Sequence, residues 1–358
     1  MKIVFDNIIY SIQRYGGISV VWNNLVSRII KAGQGVLFIE YDNAEQNISR
    51  NVLSLPRQCI KTSSSFLISL RRYLNPSISR REVLPGNTHS RFIFHSSYFR
   101  ICNDKHAVNI TTVHDFTYEL FVHNWLKRTV HCRQKHAAIR KSQRVVCISE
   151  NTRRDLLRFL PDIDPAKVRV IYNGVEDSKF HVIPHLHHQD YAIFVGRRDD
   201  YKNFDAILQP LAQLHIPLCI VGSPLNEVEI AQLDASGVQY EHHGLVTYEE
   251  LNRLYNQALF LFYPSRYEGF GLPILEAQMA GCPVLAYNSS CIPEVIGDPT
   301  LMLNQITADA IAPQVARFRD PALREQIIAD GLANARRFTW DRMAAEYLAL
   351  YEEALNTP

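Results

Sequence analysis

The chain of 358 residues alternates short apolar runs, rich in Val, Ile and Phe, with longer stretches of helical periodicity, and it does so in both halves. The predicted strands of the first half are Lys2–Phe5, Gly35–Ile39, Arg91–Phe94, Thr111–His114, Arg144–Ile148 and Val168–Tyr172. Those of the second half are Tyr191–Val195, Leu218–Val221, Val238–Glu241, Phe260–Tyr263 and Pro283–Ala286. The predicted helices are Ile18–Lys31, Leu126–Lys141, Thr152–Leu160, Asn203–Leu214, Tyr248–Gln257, Pro273–Ala280 and Pro321–Arg337. This alternation predicts an α/β fold of two doubly wound domains facing across a cleft.

The predicted boundary between the domains is the segment 181–190, where the alternation stops. It contains Pro184 and four histidines, His181, His185, His187 and His188. Closely spaced histidines can bind a metal ion, but a polar connector with a proline is more typical of a hinge. The sequence therefore predicts domains at 1–180 and 191–340, a linker between them, a final segment at 341–358, and no metal site.

Composition disfavours several classes of protein. No apolar run reaches the ~18 residues that a membrane-spanning helix needs, and the apolar N-terminus gives way to Asp6 too early for a secretion signal. The seven cysteines include no C-x-x-C pair, which argues against a disulfide framework and a zinc knuckle. We therefore expect a cytoplasmic protein.

Charge is divided unequally between the two halves. Residues 1–185 contain 27 Lys and Arg against 14 Asp and Glu, a formal charge of +13, which leaves −11 for residues 186–358. A basic half attracts phosphorylated substrates, polyanions or a membrane surface, although it could equally dock against the acidic half.

A glycine-containing loop links the predicted strand Phe260–Tyr263 to the next helix. Such a loop brings free backbone N–H groups and the positive end of a helix dipole to one place, which suits a phosphate. The loop residues concerned are Gly269, Phe270, Gly271 and Leu272. Glu268 and Glu276 flank the loop and could face one ligand. Alternatively, Glu268 is a surface residue and Glu276 a carboxylate favoured by the dipole.

Cations follow the first predicted strand of the second half, where Gly196-Arg197-Arg198 precedes Lys202. Arg197 and Lys202, just beyond the carboxyl end of a strand, are placed to neutralise a diphosphate at the crevice where doubly wound sheets bind ligands. Arg198 could substitute for Arg197 or lie in solvent.

Two features of the first half complete the candidate site. Gly16 and Gly17 open a predicted helix and leave backbone amides exposed at its N-terminus. The strand Thr111–His114 ends in His114 and Asp115, polar residues that a core does not need. A lone histidine at such a place is often structural, but the carboxyl end of a strand favours a functional role.

Together these residues carry a family resemblance: the chain resembles a retaining family-4 glycosyltransferase of GT-B fold, with two Rossmann-like domains. The resemblance runs nearly from end to end. The motifs that carry it are Gly16-Gly17, His114-Asp115, Cys147-Ile-Ser-Glu-Asn-Thr152, Tyr172-Asn-Gly-Val175, Gly196-Arg197 with Lys202, the E-x7-E pair Glu268/Glu276, and Phe338-Thr-Trp-Asp341. Similar enzymes end in a helix that crosses back to the first domain, for which Asp341–Leu355 is the candidate.

The resemblance implies a role for each site residue. Arg197 and Lys202 would hold the donor diphosphate, Glu268 would meet the sugar hydroxyls, and Glu276 the ribose. His114 would lie beside the transferred sugar, Asp115 would act as a base or, as we favour, orient His114, and Gly17 would offer amides to the phosphates. No cofactor or metal is expected, because cationic side chains can stabilise the leaving phosphate themselves.

Donor and acceptor follow from the resemblance alone. It favours GDP-mannose over UDP- or dTDP-sugars, and a saccharide or polyprenyl-diphosphate-linked acceptor in bacterial lipopolysaccharide, O-antigen or exopolysaccharide synthesis. No nucleic acid partner is expected. The alternatives are another GT-B enzyme, such as a nucleotide-sugar epimerase or a phosphorylase, and a non-enzymatic sugar-binding or scaffold protein. A nicotinamide oxidoreductase is disfavoured, because Gly269-Phe-Gly271 matches only half of the G-x-G-x-x-G fingerprint.

The region from Arg57 to Lys105 is basic, with a formal charge of +7. Within it, one face of a predicted helix is apolar and lies beside Arg71 and Arg72; its residues are Phe66, Leu67, Leu70, Tyr73 and Leu74. Such a helix is either a core helix with exposed arginines or a peripheral contact with the anionic inner face of the cytoplasmic membrane, next to a lipid-linked acceptor.

Overall fold

The computed structural model describes residues 1–64, 77–78 and 90–357, the pair 77–78 in its backbone alone. The chain forms two compact units. The first comprises Met1–Gly174 together with the segment that begins at Trp340, and the second comprises Val175–Thr339. The predicted amphipathic helix at 66–74 lies outside the described residues.

The first unit is built on a seven-stranded parallel sheet with the order β3-β2-β1-β5-β7-β8-β9. Its strands are β1 (Lys2–Asp6), β2 (Gly35–Tyr41), β3 (Ile60–Ser63), β5 (Phe92–Ser96), β7 (Ala107–Val113), β8 (Arg144–Cys147) and β9 (Val168–Val170). The short strands β4 (Ser77–Ile78) and β6 (Ile101–Cys102) pair separately. Strands β5 and β7 are buried along their whole length, because helices cover both faces of a parallel sheet.

The helices of the first unit include one from the far end of the chain. In order they are α1 (Ile9–Ile12), α2 (Gly17–Lys31), α3 (Ile48–Asn51), α4 (Thr117–Phe121), α5 (Trp125–Lys141), α6 (Glu150–Phe159) and α14 (Trp340–Asn356). The buried hydroxyl of Tyr351 on α14 lies 2.6 Å from Nδ1 of His95, and Nε2 of His95 lies 2.9 Å from Oγ1 of Thr112. The predicted return of the C-terminal helix to the first domain is therefore confirmed.

The second unit has a six-stranded parallel sheet with the doubly wound order β12-β11-β10-β13-β14-β15. Its strands are β10 (Ala192–Val195), β11 (Leu218–Val221), β12 (Tyr240–Gly244), β13 (Phe260–Tyr263), β14 (Val284–Tyr287) and β15 (Met302–Leu303). Its helices are α7 (Asp205–Gln213), α8 (Glu227–Ser236), α9 (Tyr248–Gln257), α10 (Leu272–Met279), α11 (Ile292–Val295), α12 (Ala308–Arg319) and α13 (Pro321–Ala335). Strand order reverses between β10 and β13, and ligands bind doubly wound sheets at such a switch point.

The segment predicted as a linker, 181–190, is part of the second unit, and the division between the units falls between Gly174 and Val175. Helix α9 holds this segment in place. The amide of His181 donates to Asn252 Oδ1 at 3.0 Å, and that of Ile183 donates to Asn256 Oδ1 at 2.7 Å. The segment has no regular secondary structure, but the side chains of two asparagines on α9 accept hydrogen bonds from its backbone amides.

No helix in the described part of the chain is long and apolar enough to cross a membrane.

Candidate active site

The two sides of the switch point in the second unit are joined by an ion pair. Lys202 follows β10 and Glu268 follows β13, and Lys202 Nζ lies 2.6 Å from Glu268 Oε1. Their side chains are 20% and 11% exposed, so both charges are shielded yet reachable from solvent. The sequence-predicted diphosphate cation and sugar-binding carboxylate are thus brought into direct contact.

The turn that carries Lys202 is fixed to the loop after β13 by two hydrogen bonds, one from a side chain and one from the backbone. Asn203 adopts a left-handed conformation with φ of 56°, which ends the 3-10 turn Asp200–Lys202. Its Nδ2 donates to the Pro264 carbonyl at 3.2 Å, and the Arg266 amide donates to the Tyr201 carbonyl at 2.8 Å. An asparagine tolerates this conformation better than most residues, which explains its place after the lysine.

Glu268 is oriented from the opposite side by the loop after β14. Its amide donates to Ser290 Oγ at 2.9 Å, and the Cys291 thiol lies 3.2 Å from its carbonyl oxygen. The hydroxyl of Tyr263, at the end of β13, bonds to the Glu268 carboxylate. Burial raises the pKa of Tyr263 well above its usual value and the carboxylate raises it further, so this tyrosine remains a hydrogen-bond donor.

The glycine loop starts α10 as the sequence predicts. Gly271 is the N-cap residue with φ of 96°, and Pro273 lies in the first turn. A Cβ at Gly271 would lie 3.3 Å from Ile274 Cδ1, so both backbone conformation and packing favour glycine. Pro273 has no N–H group and the Ile274 amide donates to the Gly271 carbonyl at 3.1 Å, so it is the Leu272 amide and the positive end of the helix dipole that suit an anion here.

Glu276 lies one turn into α10, near two tyrosines and within reach of the charge of Lys179. The Tyr255 hydroxyl donates to its Oε2 at 3.4 Å, and its charge also acts on Tyr248. Burial raises the pKa of Glu276 to about 7, although the bond from Tyr255 and the charge of Lys179 act in the opposite direction. Glu268 and Glu276 therefore have different environments, the first cationic and the second poorly solvated.

The two arginines after β10 differ from each other. Arg197 is 71% exposed and pairs with Asp199 at 3.0 Å, so it stands apart from the Lys202–Glu268 pair. Arg198, which we expected to replace Arg197 or to lie in solvent, does neither. Its side chain is 3% exposed, pairs with Glu229 at 2.8 Å, and donates to the Ser223 carbonyl at 2.8 Å. Arg198 therefore braces the loop after β11, whose Ser223 carbonyl also lies 3.0 Å from Nε2 of His242 on β12.

The loop braced by Arg198 approaches the first loop closely. A Cβ at Gly222 would lie 2.3 Å from the Gly196 carbonyl oxygen, so only glycine fits there. Glu229, besides pairing with Arg198, completes a capping box with Asn226 at the start of α8. One carboxylate thus fixes both a helix end and a loop beside the switch point.

In the first unit, His114 follows β7 and is largely buried. Burial lowers its pKa to about 4, with a smaller opposing effect of the Asp115 charge, so the imidazole is neutral near pH 7. The Asp115 carboxylate accepts from the Thr117 amide at 2.9 Å and so starts α4. This contact gives Asp115 a structural task beside the predicted one of orienting His114.

A buried lysine supports the loop that carries His114 and Asp115. Lys135 on α5 is 1% exposed; its Nζ donates to the Asp115 carbonyl at 3.0 Å and pairs with Glu119 at 2.6 Å. It also lies 4.2 Å from the centre of the Phe116 ring. Burial alone would raise the pKa of Glu119, but the hydrogen bond from His136 and the Lys135 charge lower it to about 2.

Gly16 and Gly17 are placed as predicted, as N-cap and first residue of α2. Nothing lies within 4 Å of the position of a Cβ at Gly17, and the residue is exposed. The backbone at this helix N-terminus is therefore open to a ligand, which is what the predicted phosphate contact requires.

Metal-type ligands gather at one place in the described residues, where Glu119, Cys132 and His136 have ligand atoms within 4.8 Å of one another. Both oxygens of Glu119 are already bound, one to Lys135 and one to His136. An Asp-x-Asp sequence also occurs at 162–164, but Asp162 pairs with Arg140 and Asp164 caps a 3-10 turn. Both groups belong to the first unit, whereas Lys202 and Glu268 belong to the second.

Several residues that shape these sites lack a sequence signal. Tyr263 belongs to the apolar run of β13, and Tyr255 and Lys135 lie within helices without any motif. Glu229 could have been found, because Asn226 three residues before it is the signature of a capping box.

Two family models match the chain. The model for Glycosyltransferase Family 4 matches residues 15–179, and that for Glycosyl transferases group 1 matches residues 176–331. The O-antigen chain mannosyltransferase B of Escherichia coli is 28% identical over 98% of this chain and 100% of its own. The MMP alpha-(1->4)-mannosyltransferase of Mycolicibacterium hassiacum is 27% identical over 62% of this chain and 56% of its own.

Solved structures show the same fold. Sucrose-phosphate synthase from Thermosynechococcus elongatus superposes with a TM-score of 0.72 at 17% identity, covering 100% of both chains. Anabaena Alr3699/HepE, in complex with UDP and glucose, gives 0.73 at 14% identity, covering 99% of this chain and 100% of its own. The two family models together extend from residue 15 to residue 331, and each model matches one of the two Rossmann-like units. The chain therefore belongs to the GT-B glycosyltransferases that join a family-4 domain to a group-1 domain.

Proposed function

We propose that this glycosyltransferase moves a hexose, with mannose favoured, from a nucleotide-diphosphate sugar to a saccharide acceptor in bacterial surface-polysaccharide synthesis, with retention of configuration and without a metal. The observation that carries the proposal is the Lys202–Glu268 pair at the β10/β13 switch point. The names of the two relatives, both mannosyltransferases, support the sugar. GDP-mannose is the favoured donor, and a polyprenyl-diphosphate-linked saccharide the favoured acceptor.

Donor binding would exchange the partners of this ion pair. A diphosphate placed at the N-terminus of α10 would become the partner of Lys202 and release Glu268 to accept hydrogen bonds from the sugar hydroxyls. Arg197, exposed on the same loop, would then turn to the diphosphate as a second cation. Glu276 would accept from the ribose, and the amides after Gly16 and Gly17 would contribute to phosphate binding.

The chemistry requires preorganised positive charge. Breaking the bond between sugar and diphosphate builds negative charge on the leaving phosphate and oxocarbenium character on the sugar, so a cation and a helix N-terminus lower the barrier. We favour attack on the same face of the sugar as the departing phosphate, which would take the proton of the acceptor. His114, neutral because it is buried, would contact the transferred sugar by hydrogen bonding and Asp115 would keep its loop in place.

The test begins with thermal unfolding in the presence of GDP, UDP, dTDP or ADP. Because a ligand of the native state raises the melting temperature, the cognate nucleotide identifies itself, and we expect GDP. The matching sugar nucleotide is then incubated with a saccharide acceptor, and the anomeric configuration of the product is read by NMR. Release of an inverted product would contradict retention.

The same assay separates the remaining alternatives. Interconversion of the free donor sugar would indicate an epimerase, and dependence on inorganic phosphate a phosphorylase. Nucleotide binding with neither transfer nor donor hydrolysis would indicate a sugar-binding or scaffold protein. None of these outcomes is expected, because the lysine and both glutamates remain in place together.

A further inference from the structure

The first turns of α5 project from the first unit. All residues from His123 to Thr129 are exposed, and the buried face of the helix begins only at His131. The five helical residues among them, Trp125–Thr129, span about 8 Å of exposed helix. At its tip, Trp125 is 69% exposed and Leu126 is 58% exposed. A large indole and a leucine therefore lie side by side in solvent, next to the cations that follow them.

Positive charge predominates in the sequence around this tip. Residues 120–149 contain seven Lys and Arg and no Asp or Glu, and three of these cations, Lys135, Arg140 and Arg144, pair with acidic residues outside this segment. Lys127 and Arg128 follow the two apolar residues directly; both are exposed, and neither forms an ion pair with the described residues. Cations in the first turn of a helix oppose its dipole, so this arrangement costs stability unless an anion approaches.

We infer that residues 123–129, the Trp125 corner, bind an anionic membrane surface. Trp125 and Leu126 enter the boundary between headgroups and acyl chains, where indole is favoured, and Lys127 and Arg128 meet lipid phosphates. A second copy of the chain is a poorer occupant, because two such corners would oppose like charges. The inference rests on the proposed function in one respect, because a lipid-linked acceptor would explain why this enzyme binds a membrane.

The Trp125 corner differs from the sequence-predicted membrane contact at Arg57–Lys105. Much of that region lies outside the described residues, whereas the whole corner is described. The corner also supplies an aromatic anchor, which matters because charge alone gives weaker and salt-sensitive attachment.

Tryptophan fluorescence tests the inference directly. The chain has three tryptophans, and Trp22 and Trp340 are each only 4% exposed, so a change of emission on vesicle binding reports Trp125. We expect phosphatidylglycerol-containing vesicles to shift the emission to the blue and to reduce quenching by acrylamide, and pure phosphatidylcholine to do neither. Sedimentation with the vesicles gives the affinity, which should fall as salt is added.

Matched variants separate this surface from general attraction by a basic unit. Lys127→Glu with Arg128→Glu should weaken binding to anionic vesicles about 10-fold or more, whereas Arg153→Glu with Arg154→Glu, the same charge change on α6, should have a much smaller effect. Leu126→Ser should weaken binding, and Leu245→Ser, 59% exposed on the second unit, should not.

Three results would overturn the inference: no binding to anionic vesicles, binding with unchanged tryptophan emission, or equal losses in the two charge-reversed variants. Thermal shift by nucleotide and hydrolysis of the sugar donor, both measured without vesicles, should be normal in every variant. Vesicle binding by a protein that transfers no sugar would therefore contradict the proposed function and leave the membrane surface standing.

Discussion

Two Lys–Glu ion pairs, one in each unit, have the same length of 2.6 Å and opposite surroundings. Lys135 and Glu119 are 1% and 5% exposed, whereas Lys202 and Glu268 are 20% and 11% exposed. The first pair is held by a backbone carbonyl, an aromatic ring and a histidine; the second lies at the switch point of the sheet, near the start of α10. Distance alone therefore does not tell the role of an ion pair. Burial makes the first pair structural, and access from solvent makes the second exchangeable.

The largest expected effect is on stability, in the first unit. Lys135→Met leaves the Glu119 carboxylate buried without its cation, so we expect the free energy of unfolding to fall by about 3–5 kcal/mol. Denaturant titration measures this loss. Adding Glu119→Gln to the same chain should restore much of it, because the uncompensated charge is gone. A loss below about 1 kcal/mol in the single variant would place this pair with the surface pairs.

The matching change in the second unit should act on catalysis instead. Lys202→Ala removes a preorganised cation, and we expect turnover to fall by about 10² or more while the free energy of unfolding changes by less than about 1 kcal/mol. Steady-state kinetics and denaturant titration are measured on the same preparation. Arg253→Ala, an exposed cation paired with Glu250 in the same unit, is the control and should turn over normally. Near-normal turnover in Lys202→Ala would refute its assignment.

The two glutamates of the second unit should separate into a rate effect and a binding effect. Glu268→Gln keeps the shape but weakens charge-assisted bonds to the sugar, so we expect turnover to fall more than nucleotide affinity. Glu276→Ala should instead weaken nucleotide binding. Kinetics together with calorimetric titration of the nucleotide distinguish the two. If Glu268→Gln weakened nucleotide binding and Glu276→Ala lowered only turnover, the proposed roles of the two glutamates would have to be exchanged.

The raised pKa of Glu276 gives a smaller, pH-dependent effect on stability. Its value of about 7 in the folded chain exceeds the ordinary 4.5, so between these values the folded state holds a proton that the unfolded state has lost. The contribution of this group therefore falls as pH rises from about 4.5 to 7 and is constant above. Glu276→Gln should remove this slope and gain roughly 1–3 kcal/mol relative to the natural chain at pH 8. Denaturant titration across the pH range would show it, and an unchanged slope would contradict a buried, protonated carboxyl.

The smallest expected effect is that of a chelator. If Lys202 and the amides of α10 stabilise the leaving phosphate, transfer should continue in excess EDTA at a rate close to that without it. The measurement is initial rate with and without EDTA. Loss of activity that manganese or magnesium restores would assign the role of Lys202 to a metal ion.

The elements that the sequence predicted are those with a continuous apolar run or a regular spacing of apolar residues. Strands Leu218–Val221 and Phe260–Tyr263 and helix Tyr248–Gln257 have the predicted bounds, because buried strands and amphipathic helices carry their own signal. The elements without a prediction include the short strands β3 and β15 and the helices α8 and α12. Whether these segments form a strand or a helix depends on pairing with a neighbouring strand or on packing against the sheet, and neither interaction is local in sequence.

The sequence by itself determined the alternation of strands and helices, the switch-point loops, and the cations and carboxylates at their ends, since spacing and residue type carry these features. The tertiary structure alone decided which charges meet. It joined Lys202 to Glu268, 66 residues away, and placed Tyr263 beside Glu268 and Tyr255 beside Glu276. It also paired Arg198, a possible ligand-binding residue, with Glu229, so that this arginine supports a loop instead. It also put the division of the units at Gly174 rather than in the histidine segment. The physical reason is that burial and charge pairing depend on strand order, which brings together residues far apart in the chain.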